Sequence, residues 1–250
     1  MNQDKLTLIF PYYDNPVMLG IHFAEWTDKY SADIKKHVEV VIVDDCSAKA
    51  PALPVVKQWA DKVGFPVRLF YIKKKVMWNW QSARNIGAYE AADSWLFLSD
   101  MDMDLAAPDA EQVIRLMKGR LLKEDAFYLF DRVKAPNGEG YKSHPNTYLM
   151  SRDLYWHVGG YDEEFAGIYG CDGSYRRLIL RVASGGHFHL HGINVTYYPR
   201  SYVPDSGVQD DGRKETRDAI KNKVALHKGA KKLQNGVRPT ALTFPYERQV

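Results

Sequence analysis

Short apolar runs alternate with stretches of helical periodicity through the first hundred residues, and this alternation constrains the fold more than any other feature of the chain. Residues 6–10 form an apolar run ending at Pro11, and residues 38–43 form a β-branched run closed by Asp44 and Asp45. Both read as buried strands. Between them, residues 16–30 place Val17, Ile21, Ala24 and Trp26 near one helical face, with Asn15 as N-cap and Pro16 in the first turn. This is a βαβ unit. The alternation repeats with a helix over 54–62, a strand over 67–72, a helix over 82–92 and a strand over 95–99. Continuous rather than alternating apolar strands predict a parallel sheet covered on both faces. After Pro108 the pattern loosens to a helix ending near Lys118, strands over 127–130 and 147–150, and a helix over 172–183, so the sheet becomes mixed. Residues 199–213 are rich in Pro, Gly, Asp and Ser and read as a lid loop before a basic helix over 214–228.

Composition narrows the class. With 250 residues, 45% hydrophobic and 26% charged, the chain supports one main core and excludes fibrous and disordered readings. A net charge of +3 is too small to argue by itself for a dedicated nucleic-acid or membrane-surface protein. No apolar run approaches the ~20 residues of a membrane span, and the polar start lacks the apolar core of a signal peptide. A soluble, cytoplasmic protein is expected. Two cysteines, Cys46 and Cys171, exclude a disulfide scaffold and a four-cysteine zinc site.

Ligands of open α/β sheets bind beyond the carboxyl ends of the strands, and those positions are polar here. The first strand ends in Pro11, Tyr12, Tyr13 and Asp14, the second in Asp44 and Asp45, the third in Lys73, Lys74 and Lys75, and the fourth in Asp100, Asp102 and Asp104. Carboxylates at alternate positions after a buried strand suit a hard divalent cation, which in turn suits diphosphate oxygens. The same spacing opens an EF-hand loop, but Leu105 stands at loop position six, where the sharp turn requires Gly.

Four segments in order, Val-Ile-Val-Asp-Asp-Cys-Ser (41–47), Ala-Arg-Asn-Ile-Gly-Ala (83–88), Leu-Phe-Leu-Ser-Asp-Met-Asp (96–102) and Gly-Gly-Tyr-Asp-Glu-Glu-Phe (159–165), resemble the family 2-like glycosyltransferases with the GT-A fold. The resemblance runs from about Leu6 to Arg181. It implies a Rossmann-like α/β/α three-layer sandwich with a mostly parallel, partly mixed sheet. Residues 1–200 would be the catalytic domain, binding the nucleotide-sugar over about 1–105 and the acceptor over about 106–200. Residues 201–250 would be the lid loop, basic helix and tail. The resemblance further implies an inverting, metal-dependent transfer of a sugar from a nucleoside diphosphate, uridine-linked, to an acceptor hydroxyl such as that of a glycan. The basic residues Lys221, Lys223, Lys228, Lys231 and Lys232, set beside Lys73 to Lys75 and Arg213, also permit a hydroxylated nucleic-acid base as acceptor.

Residue by residue, it assigns the nucleotide-sugar to Pro11, Tyr12, Asp44, Asp45, Arg84 and Asp100, with Lys75 and Trp78 nearby. The metal, Mn2+ or Mg2+, falls to Asp102 and Asp100. Asp172 is the general base, a carboxylate that takes the acceptor proton during attack on C1 of the sugar. Acceptor contacts fall to Gly160, Tyr161 and Cys171, the last standing where the family has Glu. His187, His189 and His191 alternate, so in a strand they share one side. His191 and His189 are candidates for a further metal ligand, since related enzymes often place a His late in the fold. Two rival readings are a sugar-phosphate nucleotidyltransferase, for which the first strand lacks the Gly-rich loop, and a binding module without catalysis.

Overall fold

The structure, a computed structural model, describes residues 4–76, 79–92, 94–167, 172–206 and 242–250, with residues 172–174 described by backbone alone. Trp78, Cys171 and the basic helix expected over 214–228 lie outside these residues. Among the described residues, ten strands join in one sheet. β1 (Leu6–Tyr12), β2 (Val38–Asp44), β3 (Val67–Ile72) and β4 (Trp95–Leu98) are its parallel part. The remaining strands are β5 (Met103–Asp104), β6 (Ala126–Lys134), β7 (Glu139–Tyr141), β8 (Tyr148–Ser151), β9 (Gly186–Tyr197) and β10 (Tyr246–Arg248). The order across the sheet is β10-β3-β2-β1-β4-β8-β6-β9-β5, with β7 on β6. β4–β8 and β8–β6 are antiparallel while β6–β9 is parallel, which is the mixed second half expected.

Both faces of the parallel strands are covered, the physical reason for their continuous apolar character. Leu8, Phe10 and Tyr12 of β1 face one core with α1 (Pro16–Lys29), α3 (Leu53–Val63) and α5 (Ala107–Lys118). Ile9 faces the other, with α4 (Trp80–Glu90), α6 (Arg152–Val158) and α7 (Asp172–Val182). Trp26 and Phe23 of α1 are fully buried, each contributing ~1.5–3 kcal/mol by removal from water. α4 lies so close to β1 that a Cβ on Gly87 would sit 2.4 Å from Ile9 Cγ2. The glycine inside this helix therefore sets the distance between helix and sheet.

Three local features go beyond the sequence reading. Asn15 occupies the N-cap position of α1 without a side-chain cap bond. Instead Asp205, remote in sequence, accepts from Val17 N–H at 2.7 Å and Met18 N–H at 3.1 Å. The start of the expected lid loop is thus tied to the first helix. A short helix, α2 (Ala32–His37), capped by Ser31, escapes the periodicity because Ile34 is its one buried residue. Finally, residues 246–248 form a strand: β10 pairs antiparallel with β3 and covers its edge.

Candidate active site

The parallel strands run in the order β3-β2-β1-β4, so connections leave β1 in opposite directions and open a crevice at the carboxyl ends of β1 and β4. Asp44 and Asp45 at the end of β2, and Asp100 and Asp102 after β4, lie at the carboxyl ends of the parallel strands, but the structure gives the carboxylates different tasks.

Asp44 is fully buried and structural. Its two oxygens accept from Ser47 N–H at 2.8 Å and Ala52 N–H at 2.9 Å, closing the loop after β2. Tyr12, paired with Asp44 across the sheet, donates its hydroxyl to Ala50 O at 2.5 Å, and burial raises its pKa. Pro11 pairs with Val43. Asp45 differs: Oδ2 accepts from Asn79 N–H at 2.9 Å, while Oδ1 is buried with no hydrogen-bond partner among the described residues. Burial pushes this carboxyl up to about 8, opposed by the Asn79 N–H, with Asp44 raising it and the Lys75 charge lowering it. Lys75 lies over the Tyr13 ring, 5.7 Å from its centroid.

Arg84 is completely buried on α4 between the rings of Trp80 and Tyr161, at 5.3 and 5.5 Å. One terminal nitrogen donates to Asn146 O, Asn146 Oδ1 and Tyr161 Oη at 2.7–2.9 Å. The other donates to Asp100 Oδ1 at 2.6 Å. Beside it, Asn85 joins two of the sequence segments: Oδ1 accepts from Tyr161 N–H and Tyr155 O–H, and Nδ2 donates to Tyr161 O and Glu163 Oε1. Gly159 and Gly160, at φ +93° and +65°, make the turn that delivers Tyr161 to this network.

Asp100 shows a third of its side chain to solvent, with Oδ2 3.6 Å from His144 Nε2. Asp102 keeps Oδ1 buried and unpartnered among the described residues. Its carboxyl is pushed up to about 8 by burial and by Asp100, against the charges of Arg132 and Arg84. A buried orphan oxygen beside a second carboxylate fits a divalent cation, which would satisfy both. Asp104, the third of the series, is tied to His22: Oδ1 bonds His22 Nδ1 at 3.0 Å, His22 Nε2 bonds Met101 O at 2.8 Å, and Oδ2 is buried without a partner among the described residues. This fully buried histidine ties the acidic loop to α1.

His22, Arg132, His144 and Asn146 are the residues the sequence reading missed. Arg132 stacks between Tyr141 and Tyr197, at 4.3 and 4.8 Å, with its charge felt by Asp102. Burial lowers the His144 pKa to about 4, so it faces Asp100 as a neutral ring. His22 and Arg132 interrupt apolar patterns, a faint signal, whereas His144 and Asn146 sit in an irregular segment with none.

Asp172 is the first residue of α7, and its side chain lies outside the description. His189 and His191 are not brought to Asp102. His189 registers with Leu129, whereas Tyr197, which pairs with Met103 next to Asp102, registers with Lys134. Five strand residues separate these positions, ~16 Å at ~3.3 Å per residue. His189 and His191 instead meet Asp131, and His187 stacks on Phe127.

Similar proteins share this architecture. The TarS 1-349 structure of S. aureus in complex with UDP-GlcNAc aligns at TM-score 0.61 and 14% identity, over 88% of this chain and 66% of that one. The mannosyltransferase PcManGT from Pyrobaculum calidifontis, in complex with GDP-Man and Mn2+, aligns at 0.59 and 16%, over 93% and 66%. GalNAc-T7 with UDP, GalNAc and Mn2+ aligns at 0.57 and 15%, over 94% and 53%. The chain thus spans just under two thirds of the first of these structures. Curated protein sequences gave no match. The model of glycosyl transferase family 2 matches residues 9–179, well over half of the chain and all four segments of the crevice, and the chain belongs to that family.

Proposed function

We propose that the protein is an inverting glycosyltransferase that moves a sugar from uridine diphosphate to an acceptor hydroxyl with a divalent cation, Mn2+ or Mg2+. One observation carries this reading: Asp45 and Asp102, at the ends of adjoining parts of one crevice, each bury a carboxylate oxygen without a partner among the described residues, and each carboxyl is pushed up to about 8. A buried acceptor left open is costly unless a ligand completes it. A nucleobase imide N–H suits Asp45 and a cation suits Asp102, the two ends of a nucleoside diphosphate.

Pro11 and Tyr12 form the wall beside the base, and Asp44 holds the loop that carries Asp45. Arg84 acts as a positioning residue, because its terminal nitrogens are engaged within the protein and one of them fixes Asp100. Lys75 and Arg132 supply positive charge toward the diphosphate, and Trp78 is a further candidate contact for the nucleotide-sugar. When bound at Asp102 and Asp100, the cation supplies a Lewis acid for the departing diphosphate. Asp172 accepts the proton of the acceptor hydroxyl as its oxygen attacks C1 from the face opposite the leaving group. One displacement inverts the anomeric centre. Gly160, Tyr161 and Cys171 border the acceptor, which we propose to be a glycan.

The test is thermal melting against uridine and guanosine diphosphates and their sugars, with and without manganese, on the wild type, Asp102→Asn and Asp172→Asn. A uridine-specific, manganese-dependent rise in midpoint, lost in Asp102→Asn and kept in Asp172→Asn while turnover disappears, supports the assignment. A response to guanosine ligands alone replaces the donor. Turnover that falls steeply with salt on a hydroxylated nucleic acid replaces the acceptor. Full turnover in Asp172→Asn removes the base.

A further inference from the structure

We propose that Asp131, His189 and His191 form a second metal site, away from the nucleotide crevice, that takes a borderline transition-metal dication of the zinc class. The site is made by an irregularity in the sheet. β6 and β9 pair in register up to Phe130 and Leu190, but Asp131 then pairs with Asn194, so residues 191–193 are extra on β9. Gly192, at φ +80°, makes the turn within them, a conformation that favours glycine. The turn brings His191 back beside His189, their rings stacked 4.5 Å apart and 10° from parallel. Both face one carboxylate oxygen: Asp131 Oδ1 is 2.7 Å from His189 Nε2 and 3.7 Å from His191 Nδ1.

Ligand atoms in a tetrahedral zinc site with bonds of ~2.0–2.1 Å lie ~3.3 Å apart, a value these two distances bracket. All three donor atoms lie within 4.8 Å of one another, so small side-chain rotations close the set. The carboxylate is already oriented, because Asp131 Oδ2 accepts from Gly192 N–H at 2.8 Å, as outer-shell bonds orient ligands in metal sites. Two imidazoles and one carboxylate favour zinc-class ions over Mg2+ or Mn2+, which prefer oxygen. Three protein ligands leave a coordination position open. Both histidines also line an open cavity of about 370 Å³ with Gln112, Arg115 and Leu116 of α5. Arg115, which lines this space, lies 3.3 Å from Glu111 in an ion pair on its own helix.

The experiment is zinc titration of the full chain, stripped of metal, in competition with a chromophoric chelator. The wild type and Asp102→Asn are expected to hold one tight equivalent alike, and His191→Ala and Asp131→Asn to bind it at least about tenfold more weakly through loss of a ligand. His191 is 81% exposed, so its replacement leaves the fold intact. Cobalt substitution should give d–d absorption without a thiolate charge-transfer band. Unchanged zinc affinity in His191→Ala and Asp131→Asn overturns the proposal. So does a thiolate band, which would place the ion on a cysteine, and so does the absence of zinc binding by the wild type.

Discussion

Asp45 and Asp102 carry protons at neutral pH in the unliganded fold, since burial holds both carboxyls at about 8 against an ordinary 3.8. A raised carboxyl pKa means that the folded chain binds protons the unfolded chain has released. Between about pH 4 and 8, stability therefore falls as pH rises, and above 8 the loss is complete. Asp45→Asn should flatten part of that fall, read as melting midpoint against pH without nucleotide. Nucleotide binding as proposed at Asp45 runs the other way, because the ionised carboxylate accepts an imide N–H more strongly than the neutral acid. Uridine diphosphate affinity should rise by up to about tenfold per pH unit on approach to 8 and lose this dependence in Asp45→Asn, measured by calorimetry. Arg84 is tested by stability instead: Arg84→Ala strands Asp100, Asn146 and Tyr161 and should lower unfolding free energy by about 3 kcal/mol in urea. The acidic series was legible in sequence as a group, but its division of labour was not. Asp44 looks as available as Asp45 until its backbone amides are in place, and Asp104 as available as Asp102 until His22 takes its Oδ1, although its Oδ2 stays buried without a partner among the described residues.

At the scale of elements, α4 and α1 show what periodicity reads and what it misses. Their apolar faces are visible in the sequence, and both helices form within two residues of the expected start. The contact distance of α4 is not visible, because it depends on Ile9 in a strand far along the chain. Gly87→Ala should cost about 1–3 kcal/mol by overpacking, despite alanine's better helix propensity. Combining it with Ile9→Ala should be less harmful than the sum of the two single changes, a double-mutant cycle read by denaturation. The cap of α1 is likewise non-local. Asp205→Ala should destabilise by about 0.5–2 kcal/mol, while Asn15→Ala leaves the first-turn amides capped. The histidine row shows the same limit. Its alternation is a local property, but its distance from Asp102 follows from which residue of β6 lies beside each residue of β9.

The whole molecule closes through its last nine residues. β10 covers β3, Tyr246 donates to Glu90 Oε1 at 2.6 Å, and Thr243 donates its N–H and hydroxyl to the buried Glu163 Oε2. Glu163 also holds Asn85, so the chain end supports the network around Arg84. Removing residues 242–250 should lower stability by about 3–5 kcal/mol, counting each lost bond near 1 kcal/mol. It should also promote association through the bared edge of β3, detected by light scattering. Among the described residues, no helix is long and apolar enough to cross a membrane.

By itself, the sequence determined the parallel, doubly covered sheet and the acidic and basic strand ends. These depend on hydrophobic runs and on residues one or two positions beyond them, which are local and survive in any arrangement of the strands. Only the tertiary structure decided which carboxylates keep an open oxygen, that His144 and Arg132 face the acidic pair, and that His189 and His191 belong with Asp131. Those outcomes depend on strand order at β1 and β4 and on the shifted register between β6 and β9, and pairings between distant segments leave no period in the chain.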